Sequence, residues 1–146
     1  ASDAPLHDRP SLTSLGAARA AAQMAYAQAG VTADDMRIAE VHDCFTIAAL
    51  IEYEAMGLAP EGKGGRAALE GWTAADGRLP VNRSGGLKAK GHPIGATGVS
   101  MHVMTAMQLT GQAPEGMQLK NTKLGGIFNM GGAAVANYVS VLEPAK

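Results

Sequence analysis

Asn82-Arg83-Ser84-Gly85-Gly86-Leu87-Lys88-Ala89-Lys90-Gly91-His92-Pro93-Ile94-Gly95-Ala96-Thr97-Gly98 sets five glycines and one proline around a single histidine, directly ahead of an unbroken apolar helix pattern. A plain turn does not need that much backbone freedom. Glycine reaches positive φ and lets the main chain approach a ligand closely. A histidine between Gly91 and Pro93 is therefore placed by the backbone and not by side-chain packing. The pattern reads as a histidine presented to a reacting group at the mouth of a helix.

A second signal lies upstream. Arg37-Ile38-Ala39-Glu40-Val41 reads as a buried strand that runs into His42-Asp43-Cys44-Phe45, and a helix pattern begins at Thr46. Such a junction puts three reactive side chains at the carboxyl edge of a sheet, where open α/β sheets usually carry their sites. Cys44 is the only cysteine of the chain.

Composition narrows the class. A chain of 146 residues with 47% apolar and 17% charged residues forms one globular domain with a single core. The net charge of −1 and the lack of a basic run argue against nucleic acid. No apolar run is long enough to span a membrane, and the polar, proline-broken first residues do not read as a signal peptide. A lone cysteine fits a reducing compartment, so the expectation is a cytoplasmic protein, or a peroxisomal one in a eukaryote.

Periodicity orders the rest. Residues 1–12 read as an opening loop. Ser11 or Thr13 caps a helix that runs to Ala29, with Leu15, Ala18, Ala22 and Tyr26 at helical spacing and Gly30 as its stop. Residues 37–42 form a strand. Residues 46–56 form a helix with Ile47, Leu50, Ile51 and Met56 on its apolar side. Residues 58–78 are too long for a plain connection and read as a functional, substrate-side loop. Leu79-Pro80-Val81 is a short strand, residues 96–109 a helix, and 123–129 with 133–142 an antiparallel hairpin joined at Gly131-Gly132.

The three motifs, in this order, resemble the C-terminal domain of the thiolases over nearly the whole chain. The family's Asn-Glu-Ala-Phe position is occupied by His42-Asp43-Cys44-Phe45, its Gly-His-Pro motif by Gly91-His92-Pro93, and its Cys-x-Gly motif by Asn129-Met130-Gly131. The usual second cysteine is thus replaced by Asn129, and a cysteine stands at Cys44 instead. That pairing is similar to the thiolases related to sterol carrier protein. The resemblance implies an α/β fold that is half of a thiolase: a mixed sheet of four to five strands in the order β-α-β-α-β-α-β-β, lacking its first strand, with helices packed on it.

It also implies chemistry. His92 would belong to an oxyanion hole, supported by Gly91. Cys44 would be the acid–base, its thiol lowered by the following helix N-terminus and a neighbouring histidine. His42 would hold a catalytic water or the acyl carbonyl. Asp43 more naturally bonds backbone amides at the strand–helix corner. Asn129, with Gly131, either bonds within the site or belongs to a tight hairpin turn. His7 and His102 lack supporting context, and His102 reads as a core or interface histidine. Lys88 and Lys90 read as solvated loop residues, and no residue spacing suits a metal.

The implied reaction is acetyl-CoA C-acyltransferase chemistry, meaning thiolysis of a 3-oxoacyl-CoA or the reverse Claisen condensation. Coenzyme A and acyl-CoA act as substrates, with no covalently bound cofactor. The nucleophilic cysteine is absent from these residues, so the chain alone should be inactive and should need a thiolase N-terminal domain, on the same or another chain. A homo-oligomer is expected. Two alternatives stand beside this one: a thiolase-fold aldolase or acyltransferase acting on sterol or aromatic ketone side chains, and a non-catalytic partner subunit. The Ala- and Met-rich helices at 13–29 and 96–109 suit an interface.

Overall fold

A computed structural model describes residues 1–145. Its helices are α1 (Gly16–Ala29), α2 (Thr46–Ala55), α3 (Gly64–Leu69), α4 (Gly86–Lys90) and α5 (Thr97–Leu109), and its strands are β1 (Ile38–Val41), β2 (Gly125–Gly131) and β3 (Ala136–Leu142). The sheet order is β1-β2-β3, with β1 parallel to β2 and β2 antiparallel to β3. Parallel neighbours need a long crossover, and everything from α2 to α5 lies in that crossover.

Strand alternation assigns the two faces. Ala39, Val41, Phe128, Val139 and Val141 pack with Ala22, Tyr26, Ala49 and Tyr53, so α1 and α2 cover one face. Tyr26 meets Phe128 edge-on at 6.3 Å between centroids. α5 covers the other face. It comes close because Gly125 carries no side chain; a Cβ there would run into the Thr105 methyl.

The sheet is mixed, as the resemblance implies, but it has three strands. The outer positions are reduced to single bridges, Val81 beside Ala39 and Ser2 beside Ala136. At Leu79-Pro80-Val81 the ladder stays short because Pro80 has no N–H to give; its carbonyl accepts Ala39 N–H at 3.0 Å and nothing longer develops. The hairpin turn occupies residues 132–135, with Gly132, Ala133 and Ala134 all at positive φ, rather than sitting at Gly131-Gly132.

Other differences are local. α1 starts at Gly16, because Ser11 and Thr13 bond each other at 3.3 Å instead of capping the helix. On α2 the buried residues are Ala49, Glu52, Tyr53 and Ala55, while Ile47 is exposed. The helix is thus turned away from the face that hydrophobicity alone selects. Residues 58–78 are not an open substrate-side loop. They contain α3 and a run of turns that bury Leu58, Ala59 and Ala67 in the core around α2, and none of them lines the main cleft.

Three polar residues fasten the glycine-rich segment to β1. The Asn82 side chain copies a strand neighbour, accepting Val41 N–H at 2.7 Å and donating to Val41 O at 3.2 Å. Buried Glu40 accepts the Ser84 hydroxyl at 2.6 Å. Asp43 accepts Leu87 N–H at 2.7 Å at the start of α4. Gly86 is required here: its φ is +62, and a Cβ would collide with the Asp43 carboxylate. These bonds carry the segment from the sheet edge to His92. Among the described residues no helix is long and apolar enough to cross a membrane.

Candidate active site

The carboxyl end of β1 opens into a cleft of about 1250 Å³. His42, Cys44, His92, Asn129 and Gly131 all line it; Gly91 is exposed and immediately precedes His92. Four elements therefore bring these residues to one place: the end of β1, the turn into α2, the segment between α4 and α5, and β2.

The two imidazoles are set differently. The His42 and His92 ring centroids lie 4.9 Å apart, with the planes at 89°. His92 Nδ1 is 2.7 Å from the Thr97 hydroxyl, and that hydroxyl also lies 3.3 Å from Pro93 O. Thr97 has one hydrogen to give. When Thr97 gives that hydrogen to His92 Nδ1, His92 Nε2 carries the N–H; when it gives it to Pro93 O, Nδ1–H donates to Thr97 and Nε2 carries an N–H only in the imidazolium. His42 Nδ1 lies 2.7 Å from the amide oxygen of Asn129 and donates to it. In neutral His42 the lone pair is then on Nε2. Burial keeps His42 neutral by pushing its pKa below the usual histidine value, against the Asn129 bond, which favours the charged form.

Cys44 behaves otherwise than the α2 dipole alone implies. Its pKa is raised, first by desolvation and further by the Asp43 carboxylate; the Phe45 backbone N–H pulls the other way without prevailing. The resting group is a thiol, suited to giving a proton. Peptide-resolved alkylation of Cys44 against pH in the full-length protein should show a midpoint above that of an ordinary thiol, about 8.5. A midpoint below that value would mean that the helix N-terminus dominates after all.

The remaining candidates sort by position. Asn129 lies within β2 and not in the turn, and its amide approaches α5 so closely that a Cβ on Gly98 would stand 2.8 Å from Asn129 Nδ2. Asp43 bonds a backbone amide across to α4. His102 lines the cleft and ties α5 to β3, donating through Nδ1 to Gly98 O at 2.7 Å and meeting Ser140 Oγ through Nε2 at 3.0 Å. Lys90 bonds Ser100 at 2.6 Å, Lys88 is exposed, and His7 pairs with Asp8 on the surface. Sequence reasoning missed Glu52, which is buried and accepts His42 N–H at 2.8 Å through Oε2. The only available signal was a carboxylate on the same helical stripe as Ala49 and Tyr53.

The walls of the cleft are apolar and open to solvent. Phe45, Ile47, Ile94, Val99 and Tyr138 are each more than half exposed and line it together. This face comes from the start of α2, α5 and β3. α1 contributes little to it, since its apolar side is spent against the sheet and only Met24 stands exposed among its large apolar residues.

Known proteins with similar sequences are consistent with this arrangement. An acetyl-CoA acetyltransferase of Methanothermobacter thermautotrophicus is 43% identical over 127 residues, which is 87% of this chain and 33% of the relative. Sterol carrier protein 2 of Oryctolagus cuniculus is 42% identical over 117 residues, 79% of this chain and 21% of that protein. A benzoylsuccinyl-CoA thiolase subunit of Thauera aromatica is 36% identical over 111 residues, 75% of this chain and 29% of the relative. The chain thus spans a third or less of the length of these relatives. Among solved structures, the Ltp2-ChsH2(DUF35) aldolase superposes with a TM-score of 0.83 at 21% identity, covering 94% of this chain and 34% of that one, a likeness of fold alone. The family described as "Thiolase C-terminal domain-like" matches residues 1–144, and the chain belongs to it.

Proposed function

We propose that this chain is the C-terminal half of a CoA-dependent thiolase, which cleaves a 3-oxoacyl-CoA with CoA or runs the reverse Claisen condensation. The observation that carries this reading is the meeting of Cys44, His42 and His92 in one cleft. In the cleavage direction a cysteine thiolate of the N-terminal half attacks the 3-oxo carbonyl, and the C2–C3 bond breaks. The electron pair passes to the thioester as an enolate, whose oxygen His92 Nε2–H stabilises. Cys44 gives its proton to C2 and releases acetyl-CoA. The resulting Cys44 thiolate takes the proton of the incoming CoA thiol, and CoA sulfur attacks the acyl-enzyme, freeing the shortened acyl-CoA and the nucleophile.

The N-terminal half fits the open apolar face around Phe45, Ile47, Val99 and Tyr138, since exposed patches of this kind mark interaction surfaces. The length of the relatives supports that occupant. The test is acetoacetyl-CoA thiolysis by the full-length protein, or by this chain co-expressed with the nucleophile-bearing half. Ordinary turnover, on the order of 1–10³ s⁻¹, is expected there, and none from this chain without that half. Turnover by the chain alone, or a full-length protein that cleaves no 3-oxoacyl-CoA, would overturn the reading.

A further inference from the structure

Beneath the cleft, on the sheet face that α1 and α2 cover, lies a second and far smaller cavity of about 10 Å³. That is about the space one water needs. Glu52 and Asn137 supply polar side chains to its wall, which Ala18, Ala55, Phe128, Asn129 and Val139 complete. Both polar residues are buried, 3% and 2% exposed.

Their hydrogen bonding is lopsided. Asn137 Nδ2 donates to Ala134 O at 2.8 Å, which fixes the orientation of the amide. Asn137 Oδ1 is then a buried acceptor with no donor. Across the cavity Glu52 accepts His42 N–H and has no ion-pair partner among the described residues. A carboxyl buried this fully, with one N–H donor and no cation beside it, is costly to ionise; as a carboxylic acid it can give its O–H to a water in the cavity, which donates on to Asn137 Oδ1.

We propose that Glu52 is a neutral acid, joined to Asn137 through one buried water, and that the pair is a positioning strut tying the His42 amide to the turn at Ala134. Both ends of the strut line the cleft. The turn needs such a hold, because Ala133 and Ala134 are non-glycine residues at φ +53 and +65, a conformation kept only where surrounding structure imposes it. The surroundings agree with a neutral acid. α1 and the sheet turn only apolar and amide groups to the cavity, and the titratable groups facing Glu52 are Asp43 and Cys44 at the end of β1 and Tyr53 beside it on α2. Burial holds the Glu52 carboxyl well above the usual carboxylate range, the His42 N–H opposes this, and Asp43 reinforces it.

Infrared difference spectra of the full-length protein, wild type minus Glu52→Gln, test this at neutral pH. The expected signal is the carbonyl stretch of a protonated carboxylic acid, lost in the variant. A difference containing only ionised-carboxylate bands would overturn the proposal. Asn137→Leu should shift the acid band by removing its partner; an unmoved band would exclude the link. In the thiolysis assay Glu52→Ala should lower kcat on the order of 10²-fold, as small misplacements of reacting groups do, with KM little changed. Glu52→Gln, which keeps an acceptor for His42 and a donor for the cavity, should recover most of that loss. A Glu52→Gln protein as slow as Glu52→Ala would mean that an ionised carboxylate is required. If Glu52→Ala does not fold, the infrared comparison and Asn137→Leu still decide. Only the rate measurements rest on the proposed thiolase reaction, so failure of that reading and failure of the strut remain distinguishable.

Discussion

Cys44→Ala in the full-length protein should lower kcat for thiolysis by about 10²–10⁴-fold, the range for a positioned acid–base group. The loss should fall on proton transfer at the α-carbon and on activation of the CoA thiol. Acyl transfer from acyl-CoA to the nucleophilic cysteine should stay detectable as an acyl-enzyme mass. The raised pKa of Cys44 sets the pH dependence. The proton-donating form persists through neutral pH, and the step that uses it declines only as pH rises through a value above that of an ordinary thiol. In Cys44→Ala this alkaline limb should vanish. A variant that keeps near-normal thiolysis, or that loses acyl-enzyme formation as completely as it loses C–C cleavage, would remove Cys44 from the proposed role.

His92→Ala should cost about 10²–10³-fold in kcat, the usual loss for one oxyanion donor. Unlike the cysteine substitution, it should also damage acyl transfer to the nucleophilic cysteine, because the enolate and the tetrahedral intermediates of acyl transfer all place negative charge on an oxygen. Rapid-quench measurement of acyl-enzyme formation and of its transfer to CoA separates the two. A loss confined to KM, or to one half-reaction, would show that His92 does not serve as the shared donor. The structural premise is that Thr97 takes up His92 Nδ1, so that Nε2 is the ring nitrogen left to meet a ligand in the cleft.

Much of this molecule is written in local sequence because its causes are local. Gly91 and Gly95 adopt φ of +102 and +86 around His92, conformations that identify glycine and so make the loop readable. The helix at 97–109, the hairpin and the order of the elements follow from periods of apolar residues. The joint departure at Cys44 and Asn129 marks the subgroup because both lie in short motifs of fixed order.

Other features depend on contacts between residues far apart in the chain. Whether Leu79-Pro80-Val81 becomes a strand depends on what β1 offers it and on the N–H that Pro80 lacks. Hydrophobicity selected Ile47 for the buried side of α2, yet the structure buries Glu52, whose carboxyl reaches the His42 N–H that Phe128 O also accepts. The α2 dipole predicts a lowered Cys44 thiol, while desolvation and the Asp43 carboxylate raise it. No periodicity announces that Asn129 meets the His42 ring. By itself the sequence determined the family and most of the element order, since backbone freedom and short motifs are local properties. Which side chains are desolvated, which protons they hold and which face stays open were decided only by the tertiary structure, because burial and electrostatic neighbours arise only when distant segments pack together.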